Sequence, residues 1–308
     1  MRIQKELGLI YNIQHFSLHD GSGIRTLIFM KGCPLRCVWC CNPESQKEFP
    51  EVSYKKSQCI GTEECTLCIE ACPLHAISKY ESKITIDMRK CNHCGLCAEL
   101  CPAKAIVLLG QYVTAGEVMK IIETDSSYYW RSGGGITISG GEPLMQPFFV
   151  AELLKECRHR GIQTAIETSG YFDINDANVS TALSYTNLVF YDIKLMDKTQ
   201  HKVLTGVNNN VILENFLYLS KNFPQVSMIV RTPIIPNLTS SIANIIEIID
   251  FIYMARNVVD YELLPYHSFG QTKYAQLGRI YSLPNVRPPS KNQISRLNNI
   301  IKSRRMRE

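Results

Sequence analysis

The residues of this chain best suited to chemistry are its cysteines: thirteen are present, and all but Cys157 fall between Cys33 and Cys101. Three of them form Cys33-x3-Cys37-x2-Cys40, with Trp39 just before the last. Three closely spaced thiolates suit an iron-sulfur cluster with one iron left open, or a zinc site completed by a distant ligand. An open iron matters for the same reason as an open catalytic zinc position, because a substrate or cofactor can coordinate there. A second feature is Ser139-Gly140-Gly141-Glu142-Pro143. Its glycines permit close backbone approach, and a strand edge with a carboxylate can hold an ammonium group. Two longer runs, Cys59-x5-Cys65-x2-Cys68-x3-Cys72-Pro73 and Cys91-x2-Cys94-x2-Cys97-x3-Cys101-Pro102, offer eight more thiols. A pair of zinc ribbons is one reading of them; a disulfide framework is not, because the chain is large, the cysteine count odd and the gaps short.

The cysteine loop followed by Gly-Gly-Glu-Pro resembles the radical S-adenosylmethionine (SAM) enzymes. In that superfamily a cluster binds the amino and carboxylate groups of SAM, and an electron cleaves the sulfonium to a 5'-deoxyadenosyl radical; the cofactor carries the hard chemistry and the protein positions it. The resemblance narrows to the activating enzymes of glycyl radical enzymes and covers nearly the whole chain. It rests on Asp20-Gly21-Ser22-Gly23-Ile24-Arg25-Thr26, Phe29, Lys31-Gly32-Cys33 and Asn42-Pro43-Glu44-Ser45, and on Leu263-Leu264-Pro265-Tyr266-His267 with Gly270 and Lys273-Tyr274. Ser22 stands where the family usually has proline, which loosens the turn without removing a ligand.

The resemblance implies abstraction of a hydrogen atom from one glycine of a partner enzyme, with SAM ending as methionine and 5'-deoxyadenosine and Asp20 near the incoming glycine loop. It implies Trp39, Gly140, Gly141 and Glu142 at the cofactor. Glu167-Thr168 and Asp192-x-Lys194 match positions that flank the SAM methionine group and form a monovalent cation site in related activases, although glutamate replaces the usual aspartate at Glu167. Arg231 and His267 match polar residues near SAM. A flavodoxin or ferredoxin is the implied electron donor.

The second long cysteine run matches the bacterial two-cluster ferredoxin spacing, in which the fourth cysteine of each run ligates the other cluster. On that resemblance Cys59, Cys65, Cys68 and Cys101 hold one [4Fe-4S] cluster, Cys91, Cys94, Cys97 and Cys72 a second, and Cys33, Cys37 and Cys40 a third. Cys72-Pro73-Leu74-His75-Ala76-Ile77 also matches Cys101-Pro102-Ala103-Lys104-Ala105-Ile106, the mark of a duplicated unit. Residues 49–110 are therefore read as an inserted ferredoxin-like domain, with 1–48 and 111–308 forming the rest. Cys41 and Cys157 are expected to pack as small apolar side chains, and His19, His75 and His93 to be structural.

The elements that must position these residues alternate. Strands are predicted at Leu27 to Met30, Ile136 to Ser139, Gln163 to Thr168, Leu188 to Lys194, Met228 to Ile235 and Tyr261 to Pro265. Helices are predicted at about 114–124, 147–160, 173–183, 210–222, 241–256 and 290–303. This is the signature of βα units around a parallel sheet. Periodicity allows an open doubly wound sheet or an incomplete barrel; the resemblance implies a partial (β/α)6 radical SAM barrel. Both put the chemistry at the carboxyl ends of the strands.

Composition bounds the rest. With 308 residues, 45% apolar and 20% charged, the chain is too apolar to be disordered. No apolar run reaches the length of a membrane span, since Ile245 to Ala255 is broken by Glu247 and Asp250, and Met1 to Gln14 does not read as a secretory signal. A cytoplasmic monomer without membrane or nucleic-acid partners is expected. The formal charge of +5 is dispersed, and the basic run Lys302, Arg304, Arg305, Arg307 is read as a frayed, solvated end. Eleven ligating thiolates around three cores of about +2 each would bring that charge to about zero.

For the partner, Trp130-Arg131-Ser132, Pro143-Leu144 and Ala165-Ile166-Glu167-Thr168-Ser169 look most like the activases of 4-hydroxyphenylacetate decarboxylase. Choline lyase, diol or glycerol dehydratases and arylalkylsuccinate synthases are the alternatives. A radical SAM enzyme acting on a small metabolite and an electron-transfer protein are readings of other classes; the Asp20 to Thr26 signature favours a protein substrate over the first, and the complete Gly-Gly-Glu-Pro argues against the second. Anaerobically reconstituted protein should contain about twelve irons, and a triple Cys33, Cys37, Cys40 to Ala variant about eight. Iron analysis giving only four, with zinc for the rest, would overturn the ferredoxin-like assignment.

Overall fold

The computed structural model describes residues 6–305. The chain opens with β1 (Gly8–Ser17) and β2 (Arg25–Met30), an antiparallel pair. A cysteine-rich segment follows with β3 (Glu51–Tyr54), β4 (Ile77–Tyr80), β5 (Lys83–Ile86) and β6 (Ile106–Leu109), and β7 (Gln111–Val113) returns the chain to the main body. Five strands then alternate with helices: β8 (Gly135–Gly140), β9 (Gln163–Thr168), β10 (Leu188–Asp192), β11 (Ser227–Ile234) and β12 (Val258–Pro265). Hydrogen bonding orders the main sheet β12-β11-β10-β9-β8-β2-β1-β7. From β2 to β12 every neighbouring pair is parallel, whereas β1 and β7 add an antiparallel edge. All six expected parallel strands form. The ten-residue β1 is an addition, since residues before Leu27 were read only as a short N-terminal segment.

Alternation along the strands separates two faces. Ile136, Ile138, Val189, Tyr191, Met228 and Val230 face the helices and join the main hydrophobic core with Phe149, Leu153, Leu154, Phe216, Leu219, Ile245 and Ile249. The residues between them, Thr137, Ser139, Phe190, Asp192, Ile229 and Arg231, face the other way. There the sheet encloses a cavity of about 570 Å³ whose lining includes His19, Arg25, Gln163, Phe190, Ile229 and Glu262, drawn from both ends of the six-stranded array. β12 does not pair with β2, so the array is a partial barrel with a polar interior.

The helices follow local chemistry. Thr114 and Glu117 form a capping box at the start of Ala115–Thr124. Pro147 occupies the first turn of Pro147–His159, whose buried Phe149, Val150, Leu153, Leu154 and Cys157 make one apolar stripe. The six expected helices are present, with ends shifted by a few residues. Lys198–Thr205 was not expected because it is polar and buries only His201 and Thr205. Ser126–Ser132 and Gly270–Gln276, seven residues each, are similarly too short to show a period.

The cysteine-rich segment has its own core of Val52, Ile77, Ile84, Cys97, Ala98 and Ile106. β3 pairs with β6 and β4 with β5, each antiparallel and within the segment. Two four-residue helices, Leu67–Glu70 and Leu96–Glu99, occupy equivalent places in the two cysteine runs.

The basic tail is not a frayed end. Lys302 and Arg304 belong to the helix Lys291–Arg305, and Arg304 pairs with Asp250; Arg307 lies outside the described residues, as do Met1 to Lys5 of the N-terminal stretch. None of the helices among the described residues is long and apolar enough to cross a membrane. Phe216 is fully buried between Tyr191 and Phe251 in the main core. Phe216→Ala should therefore cost about 3–5 kcal/mol in denaturant unfolding. Backbone amides of the cysteine-rich segment should keep their hydrogen-exchange protection in this variant; their equal loss would show that the two cores are one.

Candidate active site

The loop carrying Cys33, Cys37 and Cys40 leaves the carboxyl end of β2 and is pinned from several sides. The N–H groups of Arg36 and Val38 donate to the carbonyls of Thr205 and Leu204 at 2.6 and 3.0 Å, and that of Cys33 to the carbonyl of Gln46 at 3.3 Å. Trp39 is buried against Ile235, Tyr266, Tyr274 and Tyr281, so its ring is a wall of the loop. Behind it, Lys273 Nζ donates to Asn42 Oδ1 at 2.9 Å and Glu44 Oε1 at 2.6 Å, and Arg279 donates to the Pro43 carbonyl at 2.6 Å. The separated motifs Asn42-Pro43-Glu44-Ser45 and Lys273-Tyr274 thus meet as one clamp.

Burial pushes the Cys33 thiol up to about 12 and the Cys37 thiol up to about 11, and it raises Cys40 further. Such thiols keep their protons unless a cation draws them off. One positive group is already nearby. Lys194, almost fully buried, binds Asp192 at 2.8 Å. Burial opposes its charge, but Asp192 and the Cys37 and Cys33 sulfurs raise its pKa by more.

The second wall is the loop after β8. The N–H of Gly141 donates to the Met30 carbonyl and that of Glu142 to the Gly32 carbonyl, both at 2.8 Å. A Cβ on Gly141 would lie 2.0 Å from the Gly32 oxygen, and one on Gly140, where φ is +108°, 2.4 Å from the Met30 oxygen. Only glycine lets these strand ends touch. Glu142 differs from expectation. Its carboxylate is completely buried and accepts from Thr168 Oγ1 at 2.8 Å, from Ser169 N and Oγ at 2.8 and 2.6 Å, and from Leu144 N at 3.2 Å. With both oxygens engaged it fastens the β8 loop to the end of β9, and no oxygen is left for an ammonium group. Thr168 is committed to the same network, also accepting from Gly170 N at 2.9 Å. The backbone edge at Gly140-Gly141 is what this motif can offer a ligand.

Inside the barrel, Arg231 lies over the Phe190 ring at 3.5 Å and donates to Glu167 at 2.6 Å, Glu262 at 2.8 Å and the His19 carbonyl at 3.2 Å. Glu167 also accepts from Ser139 Oγ. Both Glu167 oxygens and one Asp192 oxygen are therefore held by the chain's own donors, the longer glutamate reaching Arg231. Among the described residues, no group of three His, Cys, Asp or Glu side chains is arranged to hold a single metal ion. Asp20 lies at the same interior, its carbonyl accepting from Thr137 Oγ1 at 2.7 Å and its carboxylate from Ser17. His267 is not gathered in. It falls beyond β12, is exposed, and stacks near Phe269 with ring centres 4.5 Å apart.

The other eight thiols form two neighbourhoods. Burial pushes Cys68 up to about 11, with Cys65, Cys101 and Cys59 the next contributors. Burial likewise pushes Cys97 up to about 11, with Cys91 and Cys94 next and then Cys68 and Cys72. Cys72, Cys91, Cys94 and Cys97 line one small cavity together with Val52, Ile77 and Leu96. This donor set fits two sites that exchange their fourth ligand.

The family described as "4Fe-4S single cluster domain" matches residues 19–213. The chain is 46% identical over 279 residues to the isethionate sulfite-lyase activating enzyme of Nitratidesulfovibrio vulgaris (strain Hildenborough), covering 90% of this chain and 89% of that protein. It is 41% identical to the (2S)-3-sulfopropanediol sulfolyase activating enzyme of Bilophila wadsworthia, covering 97% and 98%. With the 4-hydroxyphenylacetate decarboxylase activating enzyme of Clostridioides difficile the identity is 37%, covering 98% and 95%. The chain belongs to the radical SAM activating enzymes of glycyl radical enzymes.

As an activase of this family the protein uses SAM and an iron-sulfur cluster. Sequence reasoning gave no role to several groups of the barrel interior. Ser169 and Leu144 complete the Glu142 network, and Glu262 and Ser139 complete that of Arg231. Ser139, Leu144 and Ser169 were quoted within motifs without these roles, and Glu262, inside β12, carried no signal. Lys31 was quoted as a motif residue without a role; it is buried and binds Glu51 at 2.7 Å. Because the chain's own cations occupy Glu167 and Asp192, SAM affinity should be unchanged when sodium and potassium are replaced by a bulky organic cation at constant ionic strength. Isothermal titration in the two buffers checks this, and a large loss on replacement would mean that Arg231 yields its place to an ion.

Proposed function

We propose that this activase installs a radical on a backbone glycine of its partner, with Cys33, Cys37 and Cys40 ligating the cluster that meets SAM and the eight remaining ligands holding two further clusters. The observation that supports it best is three half-buried thiols beside Lys194 and next to the Gly140-Gly141 backbone edge, in a chain of this family. Once bound, the cluster and SAM supply the electron that breaks the sulfonium bond and the 5'-deoxyadenosyl radical that takes the hydrogen atom.

The chain's own residues bind, orient and exclude water. Lys194 offsets the negative charge of ligated Cys33 and Cys37. The Gly140-Gly141 edge presents carbonyls to the SAM ammonium group, and the rigid Glu142 network keeps that edge in place. Arg231, already tied to Glu167 and Glu262, fixes the polar wall of the barrel interior. Asp20, in the connection between β1 and β2, orients the incoming glycine loop, whose extended backbone accepts and donates main-chain hydrogen bonds. Hydrogen transfer needs the glycine Cα within about 3–4 Å of the attacking carbon, so the partner must release its loop into the open side of the barrel.

For the partner we favour a sulfonate-cleaving glycyl radical enzyme, since the identity to the isethionate sulfite-lyase activase exceeds that to the 4-hydroxyphenylacetate decarboxylase activase. The decarboxylase, suggested by Trp130-Arg131-Ser132, is the second partner to try. A flavodoxin or ferredoxin is the proposed electron donor, and a cytoplasmic monomer the proposed state.

Incubation with SAM, a low-potential reductant and the partner should give a carbon-centred doublet in electron paramagnetic resonance (EPR), with about one 5'-deoxyadenosine per radical, as single abstraction by a cofactor-derived radical demands. Asp20→Ala should lower the doublet more than it lowers uncoupled SAM cleavage. Deoxyadenosine forming only with a small metabolite, and never a protein radical, would make this a metabolite enzyme instead.

A further inference from the structure

The junction between the cysteine-rich segment and the barrel distinguishes the two thiol sets. Glu51, the first residue of β3, is buried and pairs with both Lys31 and Arg279. Lys31 is itself fully buried, also donates to the Glu44 carbonyl at 2.5 Å, and immediately precedes Gly32 and Cys33. The next residue of β3, Val52, donates its N–H to His93 Nδ1 at 3.0 Å. The His93 ring lies 5.7 Å from that of Phe49, and the His93 backbone N–H donates to Cys91 Sγ at 3.4 Å. A continuous run of contacts thus leads from Cys91 and Cys94, on either side of His93, through the start of β3 to the cysteine loop of the barrel.

Among the described residues the partners of the other set lie within the segment, including Tyr54 at the far end of β3, beside Cys59 and Cys68. The Cys59 carbonyl accepts from Lys83, the Thr62 N–H donates to the Ser82 carbonyl at 2.9 Å, and the Cys65 N–H donates to the Gly61 carbonyl at 3.1 Å. From this asymmetry we infer that the Cys72, Cys91, Cys94, Cys97 set is the one that exchanges electrons with the Cys33, Cys37, Cys40 loop. Glu51, through Lys31, and His93, through Val52, are the positioning residues that keep the two sites in register. The inference rests on the three-cluster reading above. Each cleavage of SAM consumes one electron and releases methionine. A low-potential one-electron donor protein is oxidised by one electron at the Cys59, Cys65, Cys68, Cys101 set, and the electron passes inward.

The test compares Cys94→Ala and Cys65→Ala in the full-length reconstituted protein, each confirmed by iron analysis to have lost only one cluster. The readout is the microwave-power saturation of the SAM-sensitive EPR signal in the reduced state, which a neighbouring paramagnetic cluster makes harder to saturate. Cys65→Ala should keep the wild-type relaxation and Cys94→Ala should lose it. A loss in Cys65→Ala as large as that in Cys94→Ala, or larger, overturns the order. A protein in which neither segment cluster assembles sinks both this inference and the three-cluster reading. Glu51→Gln provides a second measurement with every ligand intact: electron equilibration between the segment and the SAM-sensitive site, followed by freeze-quench EPR, should slow several-fold and recover in part with Glu51→Asp. An unchanged rate in Glu51→Gln would remove Glu51 from the positioning role.

Discussion

Contact between the ends of β2 and β8 is the constraint on which the site depends. Hydrogen bonds from Gly141 and Glu142 to the Met30 and Gly32 carbonyls bring the start of the cysteine loop against the backbone edge of the Gly-Gly-Glu-Pro turn. No side chain fits between them, because any Cβ at Gly140 or Gly141 would overlap a backbone oxygen of β2 or its loop. Glu142 then carries the constraint onward. A carboxylate without solvent is costly to bury, and it stays only because four donors meet its two oxygens. Three strand ends are tied together, and the loop that would hold a cluster inherits their rigidity.

The polar interior of the barrel follows a similar logic with charges. Arg231 is nearly buried, yet each of its partners is fixed: Glu167 on β9, Glu262 on β12 and the His19 carbonyl before β2. Paired charges with defined donors constrain spacing across the open barrel where no β12–β2 ladder exists to do so. A second effect is on ligand choice. A carboxylate already engaged by a guanidinium is a poor site for a free monovalent ion, and the glutamate at position 167 is long enough to make that engagement.

The cysteine-rich segment meets the barrel through charge as well. Lys31, Glu51 and Arg279 form one ion-paired group and Glu44 and Lys273 another, linked by the Lys31 hydrogen bond to the Glu44 carbonyl, and together they join the end of β2, β3 and the C-terminal region. Glu44 Oε2 has no hydrogen-bond partner and is buried. Hydrophobic contacts tolerate sliding, whereas paired charges with defined donors do not, and this gives the segment a single docking register.

What the sequence determined by itself was the inventory of chemistry and the order of elements. Cysteine spacing, the Gly-Gly-Glu-Pro turn and the alternation of β-rich and amphipathic stretches fixed the six parallel strands and their helices, because ligand geometry and side-chain period are local properties. Which residues face one another was decided only in three dimensions. Nothing local indicates that Glu142 spends both oxygens on Thr168, Ser169 and Leu144, that Glu167 reaches Arg231, or that His267 lies exposed past the end of β12. Lys31 and Glu51 are twenty residues apart, and Arg279 lies more than two hundred residues further on. Such pairings are set by strand order and by the requirement that every buried charge find a partner, and that requirement can be evaluated only once the chain has folded.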